Sequence, residues 1–249
     1  GATISDGDRI QDTSGNGYHG FWGATGGNTS IVSTLSGTGI DNSTSTAANP
    51  GYLFVRDGLT LIPDAWDGPT TTVSPYFTLN GNASFTYEAV INWNNTADTG
   101  AGIMGGTSGG GAWLRERNGN IHYAFGAGDA VNEFGTAIDV SAAKGDGNYH
   151  SLALVYDHAT NGGEVRFYLD GTLLHTNSDA DIGTLGTLLD GTVDFRLGNY
   201  NGSSGEEFQG IMDQFRISDT ALTTGEFLTV PEPSSTALLG LGGLALILR

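Results

Sequence analysis

The chain has 249 residues, with 27 acidic side chains against 9 basic ones and a net charge of −18. A field of that sign repels nucleic acid and anionic membrane surfaces, which leaves metal cations and neutral glycans as natural partners. There is no cysteine, so disulfides, thiolate metal sites and cysteine nucleophiles are all excluded.

Forty-one glycines set among short apolar runs describe many strands joined by many turns. The chain opens at Gly1 without a charged, apolar leader, as a mature N-terminus does after signal-peptide removal. The first eighty residues are rich in Gly, Ser and Thr, with short strand candidates at YHGFWG and GYLFVRD, and should supply edge strands and long loops. The clearest strand is SFTYEAVINWN, where Phe85, Tyr87, Ala89, Ile91 and Trp93 share one face while Thr86, Glu88 and Asn92 take the other. GAGIMGG carries G-x-G-x-x-G spacing at Gly100, Gly102 and Gly105, but Gly-rich sequence and a strand follow it instead of a helix, so a flexible hairpin loop is expected.

AWLRERNGNIHYAFG and GEVRFYLDGTLLHT are each broken by Asn-Gly or Asp-Gly, the dipeptides of a tight hairpin. NYHSLALVYD, VDFRLGN and QGIMDQFRIS read as further strands, and TALTTGEFL as a short helical turn. DADIGTLGTLLD has Thr184 and Asp190 where an EF-hand needs Gly and Glu, so it reads as a loop. No fixed repeat emerges, and many strands without alternating helices favour an antiparallel two-sheet sandwich. Composition shifts sharply at Val230, which divides a domain over 1–229 from a tail over 230–249.

In GIMDQFRIS, period two puts Asp213 on the face of Ile211, Phe215 and Ile217, so a buried carboxylate there needs a cation or several donors. The DTSGNGYHG turn offers Asp12, Asn16 and turn carbonyls as hard oxygen ligands. An Asx-turn at Asp12 with a hydrogen-bonded Asp213 is the alternative. No two histidines have metal-motif spacing, and there is no G-x-S-x-G elbow. Glu88 faces outward alone, and one carboxyl cannot supply the acid and base that glycoside hydrolysis needs. Trp22, Trp66, Trp113 and Tyr200 sit in polar or loop contexts and are the candidate rings for stacking on sugars.

Three stretches together resemble the laminin-G-like, concanavalin-A-like jelly-roll domains of secreted bacterial proteins. They are DTSGNGYHG, GDGNYHSLALVYDHATNGGEVRFYLDGTLL and FRLGNYNGSSGEEFQGIMDQFRISDTALTTGEF, with Tyr149 where that family usually has Trp and Gln214 where it has an acid. The resemblance implies a structural calcium ion between the first turn and the closing strand, held by Asp12, Asn16 and Asp213 through side chains and by His19 through its carbonyl. It also implies that His150 is structural, and the E-x-D-x-x-E run of the family's glycosidases is absent.

VPEPSSTALLGLGGLALILR resembles the PEP-CTERM sorting signal of exosortase systems, in Pro231, Glu232, Pro233, the apolar run, and Arg249 as what remains of a basic cluster. The 12 apolar residues from Ala237 to Leu248 span roughly 18 Å as a helix against a bilayer core of about 30 Å, so the tail would hold a membrane only transiently.

The expectation is an exported, non-enzymatic bacterial cell-surface or extracellular-matrix protein, processed by exosortase, whose calcium-stabilised jelly roll mediates adhesion or recognises carbohydrate such as matrix polysaccharide. The first alternative is a self-assembling subunit of a filament or surface layer, a homo-oligomer in which the tail packs into another copy. The second is a polysaccharide-active enzyme.

Overall fold

Apolar–polar alternation folds into nineteen strands and one 3-10 turn among the described residues. The computed structural model describes residues 2–3, 9–10, 18–22, 30–43, 53–57, 79–80, 82–93, 102–106, 112–125, 131–132, 138–178, 187–189, 195–199 and 207–230. In chain order the strands begin with β1 (Ala2–Thr3), β2 (Arg9–Ile10), β3 (Tyr18–Trp22), β4 (Ser30–Thr34), β5 (Gly37–Asp41), β6 (Leu53–Asp57) and β7 (Leu79–Asn80). Next come β8 (Phe85–Trp93), β9 (Gly102–Gly106), β10 (Ala112–Arg117), β11 (Asn120–Phe125), β12 (Val131–Asn132) and β13 (Ile138–Asp139). The last are β14 (His150–Asp157), β15 (Glu164–Leu169), β16 (Thr172–Asn177), β17 (Thr187–Leu189), β18 (Phe195–Leu197) and β19 (Gly210–Ser218).

Two antiparallel sheets form the expected jelly-roll sandwich. The first runs β1-β4-β5-β19-β8-β14-β15-β16, and the second β12-β11-β10-β9-β18-β6-β3-β2. The N-terminal strands do lie towards the sheet edges, and the closing strand β19 is inserted between β5 and β8. Phe85, Tyr87, Ala89, Ile91 and Trp93 all face the core, as their alternation requires. Phe85 meets Phe125 of the other sheet edge-on at 5.7 Å, and Tyr87 meets Phe195 at the same centroid distance. Both hairpin turns have positive φ at both central residues, 54° and 77° at Asn118-Gly119 and 50° and 73° at Asp170-Gly171. That geometry matches the twist of the flanking strands.

Three expectations are corrected. The GAGIMGG stretch is not a hairpin loop over its second half, because Gly102–Gly106 is β9, a strand inside the second sheet. A Cβ on Gly105 would lie 2.3 Å from the Trp113 Cα, so its glycine serves close backbone approach rather than flexibility. Thr187–Leu189, at the end of the expected DADIGTLGTLLD loop, pairs as β17 with β7.

The parity of β19 breaks at Asp213. Met212 is opposite Ile91 and Gln214 is opposite Val90, so Asp213 is the extra residue of a β-bulge. Phe215 and Ile217 still pack on the core, whereas Ile211 falls on the other face.

Glu88 points away from the core as expected, and is 0% exposed because residues 219–228 cover it. Residues 219–228 form a strap over the outer face of the first sheet, where Phe227 packs on Tyr168 at 5.0 Å beside Ala153 and Val155. Arg216 Nε donates to Glu88 Oε2 at 2.5 Å, and the Leu228 backbone N–H donates to Glu88 Oε1 at 2.7 Å. Thr86 Oγ1 donates to the Thr220 carbonyl and accepts from the Leu222 N–H. The expected helical turn is a 3-10 turn over Thr224–Glu226, closed by a capping box between Thr223 and Glu226.

Candidate functional site

The bulge at Asp213 brings its carboxylate to the β4-β5 hairpin. Thr34 and Ser36 hydroxyls both donate to Asp213 Oδ1. Asp213 Oδ2 is buried with no hydrogen-bond partner among the described residues, an arrangement that costs free energy unless a cation or donor completes it. Burial first, then the negative charges of Asp213 and Asp41, raise the pKa of the nearby Tyr149 phenol. A carboxylate with two hydroxyls is the hard-oxygen chemistry that suits calcium, so these residues fit part of such a site. Among the described residues no three His, Asp or Glu side chains converge to hold a metal.

Asp12 and Asn16 lie outside the described residues. His19 is described through its backbone alone, on β3 opposite Arg56 in the second sheet. The structure therefore supplies Thr34 and Ser36, which the strand pattern did not single out. The Ser-Gly turn of STLSGTGID is the signal that could have found them.

His150 takes a structural place as expected. Its Nδ1 lies 2.7 Å from Asp170 Oδ2 and its Nε2 lies 3.2 Å from Asp146 Oδ1. Burial alone would lower the imidazole pKa, but hydrogen bonds and attraction from Asp170 and Asp146 outweigh it and the pKa is raised.

The outer face of the second sheet has a different character. On the β10-β11 hairpin Arg115 pairs across from His122, and Arg117 from Asn120. Together with Asn118 these side chains line a depression of about 520 Å³. Arg115 and His122 are buried, whereas Arg117 and Asn118 are exposed. Glu116 alternates to the opposite side, where its Oε1 accepts from the Gly119 N–H at 2.6 Å and from Lys144 Nζ at 3.2 Å.

Trp113 is not an exposed ring. It is 2% exposed and lies beneath the Arg115 guanidinium, 4.9 Å from the ring centroid, so its face is already occupied. Trp22 ends β3 and is described through its backbone alone, while Trp66 and Tyr200 lie outside the described residues. Pro231, Glu232, Pro233 and Arg249 lie outside them too.

Residues 67–226, well over half of the chain, match the family model described as the concanavalin A-like lectin/glucanases superfamily. The chain belongs to the concanavalin A-like lectin/glucanases superfamily.

Residues 229–249 of this concanavalin A-like protein match the PEP-CTERM protein-sorting motif, which implies export and association with the bacterial surface. No curated protein sequence matches the chain.

Solved structures with a similar fold include the binding domain of Paraclostridial Mosquitocidal Protein 1, at 15% identity and a TM-score of 0.53, over 90% of this chain and 49% of that one. The binding domain of Botulinum neurotoxin DC in complex with rat synaptotagmin II matches at 13% identity and 0.56, over 88% and 49%. The same toxin's binding domain in complex with SialylT matches at 14% and 0.51, over 86% and 46%. The concanavalin A-like chain thus spans about half the length of these structures, and at such identities the likeness is one of fold.

Proposed function

We propose that the protein is an exported, non-enzymatic surface or matrix protein whose jelly roll, residues 1–229, recognises carbohydrate, with residues 230–249 as its sorting label. One observation carries this reading: a concanavalin A-like lectin fold and a PEP-CTERM motif occupy a single chain, the motif following directly on the strap. The solved structures named above are binding domains, which supports recognition over catalysis. The outward carboxyl a hydrolase would enlist first, Glu88, is consumed in holding the strap. The test is binding of the full chain to immobilised glycans, with the outcomes given at the close of the Discussion.

Calcium belongs to the same proposal. Asp213, with the Thr34 and Ser36 hydroxyls, would hold the ion from the first sheet, and Asp12, Asn16 and the His19 carbonyl would complete it from the N-terminal segment. Bound there, the ion would neutralise a buried carboxylate and tie the closing strand to the N-terminal region. Adding calcium to the chelated protein should raise the melting temperature by several degrees, as expected for a ligand bound by the native state alone. D213A should abolish that rise. A calcium-independent melting temperature in the wild type contradicts the site.

The alternative of self-assembly is favoured by one feature. Among the described residues, strand β16 ends the first sheet with Leu173 49% and Leu174 41% exposed, an apolar edge suited to pairing with another copy.

A further inference from the structure

We propose that the depression on the β10-β11 hairpin is a binding site for an acidic saccharide, one that carries carboxylate groups on its rings. The proposal rests on the carbohydrate reading and specifies its ligand class and location. In a chain of net charge −18, five of the nine basic residues stand on strands of the second sheet: Arg9, Arg56, Arg115, Arg117 and Arg196. Two of them, Arg115 and Arg117, line the depression together with His122. The acid of this hairpin, Glu116, is on the opposite side of β10 and engaged by Lys144.

The side chains suit that ligand in kind as well as in sign. An arginine fork meets a carboxylate with two parallel N–H donors, and Arg117 is exposed and in no ion pair among the described residues. Asn118 and Asn120 each offer amide donors and an acceptor, the pair that sugar hydroxyls require.

The acidic remainder of the surface does not cancel the site. At physiological salt, exposed charges more than about 8 Å apart are largely screened, so contact with the arginines decides binding while the net charge slows approach.

The position in the fold agrees. The strap, from which the sorting segment departs, covers the outer face of the first sheet. The depression is on the outer face of the second, across the core from it. A chain held at a surface through its C-terminus would therefore present the exposed Arg117 outward.

The test is calorimetric titration of the full chain, in calcium, with oligogalacturonate and with neutral maltooligosaccharide of equal length. The proposal expects binding of the acidic oligomer that weakens with added salt. R117A should weaken it roughly tenfold or more, as loss of a charged fork does, and R117E should abolish it. The melting temperature should stay unchanged, because Arg117 is exposed. Acidic binding that survives R117E, or preference for the neutral oligomer, overturns the proposal and leaves the carbohydrate reading standing. Binding of neither oligomer, together with a blank glycan array, overturns both. Self-association that R117E dissolves, without saccharide binding, shows the depression to be a contact between copies and overturns it as well.

Discussion

His150 shows how an acidic chain uses one titrating cation. Asp170 and Asp146 hold the imidazole from both ring nitrogens, and the raised pKa means that folding favours its charged form. The stability this adds is complete below the unfolded pKa of about 6.5 and is lost as the pH rises through the higher folded value. Asp146 has a lowered carboxyl pKa, chiefly from the Asn148 N–H, and its contribution is lost only in acid, outside that window. In urea unfolding, the gap between wild type and H150Q should be wider at pH 5.5 than at pH 8.5. An equal gap at both contradicts the charged-imidazole account. Asp213 poses the opposite problem, a buried carboxylate oxygen with no donor among the described residues, a cost that a cation or a further donor would relieve.

Among the elements, the strap has most of its energy in a few contacts. Glu88 binds Arg216 and the Leu228 N–H; truncating it to Ala leaves the Leu228 N–H without its acceptor, while the part-exposed Arg216 keeps its bond to the Glu226 carbonyl. E88A should destabilise the fold by about 2 kcal/mol, since the Leu228 N–H loses its acceptor and Arg216 its carboxylate. Denaturant unfolding checks this, and a change under 0.5 kcal/mol, the range of ordinary surface substitutions, contradicts it. The strands of this scaffold were legible because alternation and turn chemistry agree: Asn118-Gly119 and Asp170-Gly171 mark their hairpins, and Phe85 to Trp93 face the core in alternation. What was illegible depends on pairing across long separations. A one-residue bulge inverts the parity of β19, which the sequence of that strand does not encode, because the bulge exists relative to β8. The cover over Glu88 was illegible for the same reason, since it comes from residues 219–228. Trp113 sits in polar company in sequence and is nevertheless buried under Arg115, whereas the alternation of Arg115 and Arg117 was present in RER and its significance appeared only with His122 alongside.

At the scale of the molecule, the sandwich separates two roles across its core. The first sheet carries the strap from which the sorting segment departs, and the second carries the cationic depression. Such a division suits a recognition module delivered to a surface by its own C-terminus. On this reading the module binds saccharide. The most direct test is a microarray of neutral and acidic glycans incubated with the full chain in calcium. The account predicts saturable binding to a subset of the saccharides, concentrated among carboxylate-bearing ones. A folded, calcium-loaded protein that binds no saccharide on an array covering both classes would contradict it.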